Sequence, residues 1–184
     1  MTLPTLHTER LLLRPLHETD AGYVAVLAGE WEVAGNTRRI PHPYNLELAE
    51  QFIRWQAQAY QARQEDIFAV CRADQQDLIG CMSLVYGPQQ TELGYWFGQA
   101  FWGCGYATEA ARAVLAYSAQ TQTCIYAEHL RHNPQSGRVL EKLGFQAKGS
   151  YLGTGRDGEA VELVAYELHL LATPSAADES RGFV

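Results

Sequence analysis

The chain has 184 residues, of which 47% are hydrophobic and 19% charged, and its formal net charge is −7. This composition is typical of a globular protein with a sizeable core, and an acidic balance without a basic stripe argues against a nucleic-acid partner. The sequence contains neither an apolar run of membrane-spanning length nor a signal-peptide pattern, so we expect no membrane association and a cytoplasmic location.

Hydrophobic periodicity and turn residues predict the secondary structure in chain order. The first half contains a strand at 9–15, a helix at 17–29, an irregular segment at 30–45, a helix at 46–63 and strands at 67–71, 78–85 and 91–97. The second half contains a helix at 107–119, a strand at 124–128, a helix at 134–143 capped by Asn133, and a closing hairpin at 145–152 and 162–170. We expect one domain over residues 1–172 and a disordered tail over 173–184.

This order predicts an α/β protein whose mixed, mostly antiparallel twisted sheet has about seven strands and is flanked by about four helices. The four cysteines form no C-x-x-C pair. Their spacing therefore predicts neither a disulfide framework nor a metal site.

A glycine pattern follows the predicted strand at 91–97, in residues 101–110 (FWGCGYATEA). Gly103 and Gly105 stand where a strand ends and a helix begins, so several backbone N–H groups can point at one anion, most naturally a phosphate. Thr108 occupies the third glycine position of the nicotinamide fingerprint, and no Gly-Lys-Ser/Thr is present. A tight turn without a ligand is the alternative interpretation of these ten residues.

Three motifs in this order resemble the GNAT superfamily of N-acetyltransferases, in its RimJ/RimL-like ribosomal-protein alanine acetyltransferase branch. They are TERLLLRP at 8–15, GYWF at 94–97 with the glycine pattern, and NPQSGRVLEKLGF at 133–145. The resemblance covers residues 8–171. It implies the GNAT fold, with the fourth and fifth predicted strands splayed apart, and transfer of an acetyl group from acetyl-CoA to a primary amine.

The resemblance also implies where acetyl-CoA binds. The phosphate loop would consist of Trp102, Gly103, Cys104, Gly105, Tyr106, Ala107 and Thr108, with Trp102 in place of the family's Gln or Arg. The pantetheine arm would pair with backbone groups of Trp96, Phe97 and Gly98, like an added strand. Asn133 and Ser136 would contact the coenzyme from the helix at 134–143.

The chemistry requires an oxyanion donor, an acid for the leaving thiolate and a route for the amine proton. The Phe97 N–H is the expected oxyanion donor. In many relatives a tyrosine at the position of Leu140 donates the proton to the leaving thiolate. Leucine cannot do so, and Ser136 is therefore the candidate acid. Gly155 stands where the RimL-like pattern has a glutamate, which leaves Glu92 or Glu128 as candidate bases.

The acceptor is expected to contact the irregular segment through Trp31, Arg38, Arg39 and Tyr44, and the hairpin around Gly155. A protein or peptide N-terminal α-amine is the preferred acceptor, attacked directly in a ternary complex. A small amine such as a polyamine, an amino acid or a drug is an alternative, as is a non-catalytic CoA-binding module. We expect a monomer or homodimer that uses acetyl-CoA and no metal.

Overall fold

A computed structural model describes residues 2–170, which contain one eight-stranded sheet. The strands are β1 Leu6–His7, β2 Leu11–Pro15, β3 Glu65–Arg72, β4 Leu78–Tyr86, β5 Thr91–Phe97, β6 Cys124–Leu130, β7 Gln146–Thr154 and β8 Ala160–His169. The helices are α1 Ala21–Gly29, α2 Trp31–Ala34, α3 Leu46–Gln61, α4 Tyr106–Ser118 and α5 Pro134–Lys142. The predicted tail at 173–184 lies outside the described residues.

The sheet order is β1-β2-β3-β4-β5-β6-β8-β7, and all neighbours are antiparallel except the parallel pair β5 and β6. The predicted mixed α/β architecture is confirmed. The structure adds one strand and one helix to the prediction, β1 and α2. Both are too short to produce a hydrophobic period, since β1 has two residues and α2 a single turn.

Two hydrophobic clusters cover opposite faces of the sheet. One joins α4 and α5 to the sheet through residues such as Val114, Leu140 and Ile125. The other joins α1 and α3 to β3 and β4 through residues such as Val24, Ile53 and Ile67. No helix within residues 2–170 combines the length and apolarity needed to cross a membrane.

The functionally important feature of the sheet is the junction of β5 and β6. Within residues 2–170 these strands pair only near their starts, Thr91 with Ile125 and Glu92 with Tyr126. Beyond Glu92 they separate, so the rest of β5 has a neighbour on the β4 side alone. The splay predicted between the fourth and fifth strands is present, and it opens toward the glycine loop.

Candidate active site

The glycine loop connects the open end of β5 to α4. Gly103 and Gly105 have φ angles of 75° and 82°, a region that residues with a Cβ rarely adopt. Gly105 is the N-cap of α4, and the first intrahelical bond runs from Glu109 N–H to Gly105 O at 3.1 Å. The N–H groups of the three preceding helical residues therefore have no intrahelical acceptor. A Cβ built on Gly103 would meet no atom of residues 2–170 within 4 Å, so the described part of the chain leaves space in front of the loop.

A clamp from the turn between β1 and β2 holds this loop. Glu109 accepts hydrogen bonds from the Thr8 hydroxyl (2.6 Å), the Arg10 backbone N–H (2.9 Å) and the Arg10 guanidinium (2.7 Å). Arg10 Nη1 also donates to Cys104 O at 3.0 Å. Burial alone would raise the pKa of Glu109, but these hydrogen bonds lower it. The clamp therefore keeps a charged carboxylate and a guanidinium beside the loop.

Trp102 fixes the loop from its other side. Its indole Nε1 donates to Phe97 O at 2.7 Å, which ties the loop to the last residue of β5. Its ring also packs against the α4 core cluster. The structure thus gives Trp102 a structural role that needs no charged or amide side chain.

Backbone direction along β5 bears on the predicted coenzyme contacts. Gly98 N–H donates to Ile79 O at 3.0 Å and so faces β4. Because backbone groups alternate in direction along a strand, Trp96 also faces β4, whereas Tyr95 and Phe97 face the gap. The Gly98 N–H is thus used within the sheet, and the Gly98 carbonyl accepts from Phe101 N–H at 2.9 Å. The pairing of Trp96 and Gly98 with a coenzyme arm stays a prediction, which this backbone direction does not favour. The Phe97 N–H has the direction that an oxyanion donor requires.

The first turn of α5 lies across the gap from β5. Asn133 is the predicted N-cap, and its Oδ1 accepts from Ser136 N–H at 3.3 Å. Asn133 Nδ2 donates to Asn36 O at 3.3 Å, so both ends of this amide have protein partners. The Ser136 hydroxyl lies 2.8 Å from the Tyr95 hydroxyl, and Tyr95 also donates to Ser136 O at 3.2 Å. Burial raises the pKa of Tyr95 to about 12, so this phenol keeps its proton near neutral pH.

The two candidate bases lie on the sheet face opposite α4. The Glu128 side chain is 6% exposed and forms an ion pair with Arg38 at 2.6 Å. Its other oxygen accepts from the Tyr151 hydroxyl. Within residues 2–170, no well-aligned hydrogen bond reaches Glu128 Oε1, although Arg38 is adjacent. Glu128 is thus held by fixed partners on both sides.

Glu92 is the less constrained of the two carboxylates. It stands at the last paired position before the strands part, and Arg39 Nη2 lies 2.9 Å from its Oε2. Burial raises the pKa of Glu92, while the charge of Arg39 opposes that rise. A carboxylate with a raised pKa at the vertex of the gap is suited to accept a proton.

The two segments expected to contact the acceptor are joined by Arg156, a residue that the sequence did not single out. Arg156 Nη1 donates to Ala34 O (2.9 Å) and Ile40 O (3.1 Å), and its guanidinium lies over the Trp31 ring at 5.0 Å. Trp31 is 57% exposed, whereas Tyr44 packs against the α1 and α3 cluster. Contact of either aromatic residue with an acceptor stays a prediction.

The hairpin between β7 and β8 places a carboxylate near the position that lacks one in the sequence. The Glu159 carboxylate occupies the space that a Cβ on Gly155 would fill. Glu159 Oε2 accepts from Asp157 N–H at 3.0 Å, and Gly155 N–H donates to Glu159 O at 2.8 Å. A side chain at residue 155 would therefore displace Glu159.

The two parted strands beside a glycine loop, with hydroxyl and carboxyl groups at the gap, form the arrangement that is expected of an N-acetyltransferase. A family model described as an acetyltransferase (GNAT) domain matches residues 10–146, and the chain belongs to this family. The resemblance predicted from the sequence motifs is confirmed, and the protein is an N-acetyltransferase.

Similar proteins include the uncharacterized N-acetyltransferase YoaA of Bacillus subtilis (strain 168), which is 30% identical over 151 residues, covering 79% of this chain and 85% of that protein. A ribosomal protein uS5-alanine N-acetyltransferase of Escherichia coli (strain K12) is 29% identical over 160 residues, covering 78% and 79%. The solved structure of a ribosomal L7/L12 α-N-protein acetyltransferase, RimL, in complex with coenzyme A has a TM-score of 0.80 at 16% identity, covering 92% and 100%. These relatives support the RimJ/RimL-like branch.

Proposed function

We propose that the protein transfers an acetyl group from acetyl-CoA to the N-terminal α-amine of a protein or peptide. The observation that carries this proposal is the open edge of β5, which begins beside Glu92 and ends at the glycine loop. The loop offers unpaired N–H groups of the kind that bind phosphates, and the open edge offers backbone groups that can pair with an extended arm.

The described residues fit acetyl-CoA as a co-substrate. The N–H groups of Tyr106, Ala107 and Thr108 would hold its phosphates, and the gap-facing backbone of Tyr95 would hold its arm, since Phe97 O already accepts from Trp102 Nε1. When bound, acetyl-CoA supplies a thioester whose carbonyl carbon is open to attack by an amine. The Phe97 N–H is positioned to stabilise negative charge in the gap, because preformed backbone donors need no reorganisation during the reaction.

Proton movement would involve groups on both sides of the gap. Ser136 Oγ would donate the proton that the leaving sulfur needs, and the adjacent Tyr95 hydroxyl at 2.8 Å can return a proton to Ser136. Glu92 would accept the proton that the attacking amine releases as the new C–N bond forms, since Glu128 is already paired with Arg38 and Tyr151. Glu128 then serves to orient Arg38 and Tyr151 on the acceptor side.

An α-amine is the acceptor that best matches this site. Its pKa is near 8, against about 10.4 for a lysine side chain, so a larger fraction is already unprotonated near neutral pH, and the base need only accept the proton released on attack. The Escherichia coli relative is named for an alanine of a ribosomal protein, which supports a protein acceptor here as well.

The acceptor class is tested by an amine panel with acetyl-CoA. One peptide has a free α-amine and no lysine, a second has a blocked N-terminus and one lysine, and spermidine represents small amines. We expect mass spectrometry to find acetylation on the α-amine of the first peptide. Preferential turnover of spermidine would reassign the enzyme to small amines, and modification of the blocked peptide would reassign it to lysine side chains.

Coenzyme binding is tested separately by calorimetry with the isosteric variants Gly105→Asn and Gly105→Asp. Both place a side chain at a positive φ that Asn and Asp tolerate, but only Asp adds negative charge. We expect Gly105→Asp to bind acetyl-CoA at least about tenfold more weakly than Gly105→Asn, because phosphates and a carboxylate repel each other. Equal affinities would contradict a phosphate site at this loop.

A further inference from the structure

Three metal-ligating side chains converge far from the glycine loop, on the face of the sheet that carries Glu128. Cys124 of β6 is directly opposite His169 of β8, and Glu167 precedes His169 by two residues on the same face. Glu167 Oε1 lies 3.2 Å from Cys124 Sγ and 3.2 Å from His169 Nε2. The three donor atoms all lie within 4.8 Å of one another.

This arrangement matches the ligand preference of zinc. Thiolate, imidazole and carboxylate are the three kinds of protein ligand that Zn²⁺ takes, and the thiolate and the imidazole favour it over Mg²⁺ or Ca²⁺. With the usual bond lengths, the donor atoms around a tetrahedral Zn²⁺ are about 3.3–3.6 Å apart. The two distances from Glu167 Oε1 are close to these values, and the third, between Cys124 Sγ and His169 Nε2, is at most 4.8 Å. Rotation of the exposed His169 side chain toward Cys124 would form three of the four corners.

We propose that Cys124, Glu167 and His169 form a binding site for a divalent transition-metal ion, with Zn²⁺ as the best fit. Binding would replace the thiol proton, so that one proton is released as the bond between sulfur and metal forms. His169 is largely exposed, which leaves the fourth position open to water.

The cysteine spacing in the sequence could not indicate this site. Its ligands lie on two strands, and Cys124 and Glu167 are 43 residues apart in the chain.

The position of the site separates it from the acetyl-transfer chemistry. Cys124 and Glu128 are four residues apart on β6, which corresponds to about 13 Å along a strand. Glu92 is nearer, because Glu92 and Glu167 pair with Tyr126 from opposite sides and so lie two strand spacings, roughly 9.5 Å, apart. The metal would therefore connect β6 to β8 without contacting either carboxylate at the gap. Lys148 forms an ion pair with Glu167 Oε2 at 2.8 Å and so places a competing positive charge at the site.

The test uses the full chain without an affinity tag, titrated with Co²⁺ as a spectroscopic substitute for Zn²⁺. We expect a thiolate-to-cobalt charge-transfer band that disappears on addition of Zn²⁺. The band should be absent in Cys124→Ser and retained in Cys104→Ser, a matched variant at an exposed cysteine elsewhere. A wild-type protein without the band, a band that persists in Cys124→Ser, or one lost in Cys104→Ser would each overturn the proposal.

Zinc affinity measured by competition with a chelating indicator gives an independent result. His169→Ala changes an exposed side chain, so its folding can be verified by circular dichroism, and we expect its Zn²⁺ affinity to fall at least about tenfold. Lys148→Gln should bind Zn²⁺ more tightly, because the competing cation is removed. Unchanged affinity in His169→Ala would refute the ligand set, as would weaker binding by Lys148→Gln.

Discussion

The phenolic oxygen of Tyr95 lies 2.8 Å from Oγ of Ser136, and this contact bridges the open edge of β5 and the first turn of α5. Tyr95 lies on β5 at a position whose backbone faces the gap. Ser136 lies three residues after the Asn133 cap, in the first turn of α5. Two hydroxyl groups at hydrogen-bond distance can pass a proton between them. The pair therefore connects the candidate acid to a second proton donor within the protein.

Removing the candidate acid should affect turnover more than coenzyme binding. We expect Ser136→Ala to lower kcat by about 100-fold, a typical contribution of general acid catalysis, with little change in the KM for acetyl-CoA. Tyr95→Phe should lower kcat less, because Ser136 remains. Steady-state kinetics with both substrates varied measure these effects, and Ser150→Ala, at an exposed position on β7, is the control. Equal losses in kcat and in acetyl-CoA affinity would indicate a binding role instead.

Glu92 should appear in the pH dependence of kcat/KM. The free ammonium must lose one proton before it can attack, and Glu92 must be ionised to accept another. Below both pKa values the wild-type profile of log(kcat/KM) should therefore rise with pH with a slope of two. Glu92→Gln should reduce that slope to one, whereas Glu128→Gln should keep it at two. If Glu128→Gln alone reduces the slope, the roles of the two carboxylates are the reverse of those proposed.

Substitution of Arg39 tests the ionisation of Glu92 in a second way. Arg39→Gln removes the positive charge that opposes the burial-raised pKa of Glu92. That pKa should rise further, so the second ionisation should move to higher pH. Arg54→Gln, on the exposed face of α3, should leave the profile unchanged. An unaltered profile in Arg39→Gln would argue that Glu92 does not titrate in the reaction.

Arg156 should control acceptor binding without affecting the coenzyme. Arg156→Ala removes two hydrogen bonds to the backbone of the 31–45 segment and the contact with Trp31. We expect the KM for a peptide acceptor to rise about tenfold, since charged hydrogen bonds contribute roughly 1.5–3 kcal/mol, while the KM for acetyl-CoA stays constant. Arg131→Ala breaks an exposed pair with Glu162 and should change neither KM. A larger effect on acetyl-CoA would place Arg156 on the coenzyme side.

Local patterns predicted those parts of the site that depend on neighbouring residues. The glycine loop, the start of α4 and the Asn133 cap follow from turn and capping preferences within a few positions. The clamp of Thr8 and Arg10 on Glu109 joins residues about a hundred positions apart, and nothing in the local sequence signals it. The motif likewise located β5, but the direction of each backbone group depended on its register with β4. The sequence therefore could not show that the Gly98 N–H bonds to Ile79 O.

The buried pair of Asp20 and Arg14 should make a measurable contribution to stability. Asp20 accepts from Arg14 Nη1 (2.8 Å) and Nη2 (2.9 Å) and from His17 N–H (2.7 Å), and its side chain is 7% exposed. Asp20→Asn would leave a largely buried guanidinium without its counter-charge. We expect the free energy of unfolding to fall by about 3 kcal/mol at pH 7. Glu50→Gln, which breaks an exposed pair with Arg54 on α3, should cost less than about 0.5 kcal/mol.

The same pair has a defined pH dependence. Burial would raise the pKa of Asp20, but the hydrogen bonds from Arg14 and His17 lower it below its ordinary value. A carboxyl whose folded pKa is depressed stabilises the protein above its unfolded pKa, near 3.9, and that stabilisation is lost as the pH falls through the folded pKa. The difference between wild type and Asp20→Asn, measured by urea unfolding, should therefore shrink from pH 4 downward. A difference that stays constant down to pH 2 would show that the pair contributes through packing rather than through the charge on Asp20.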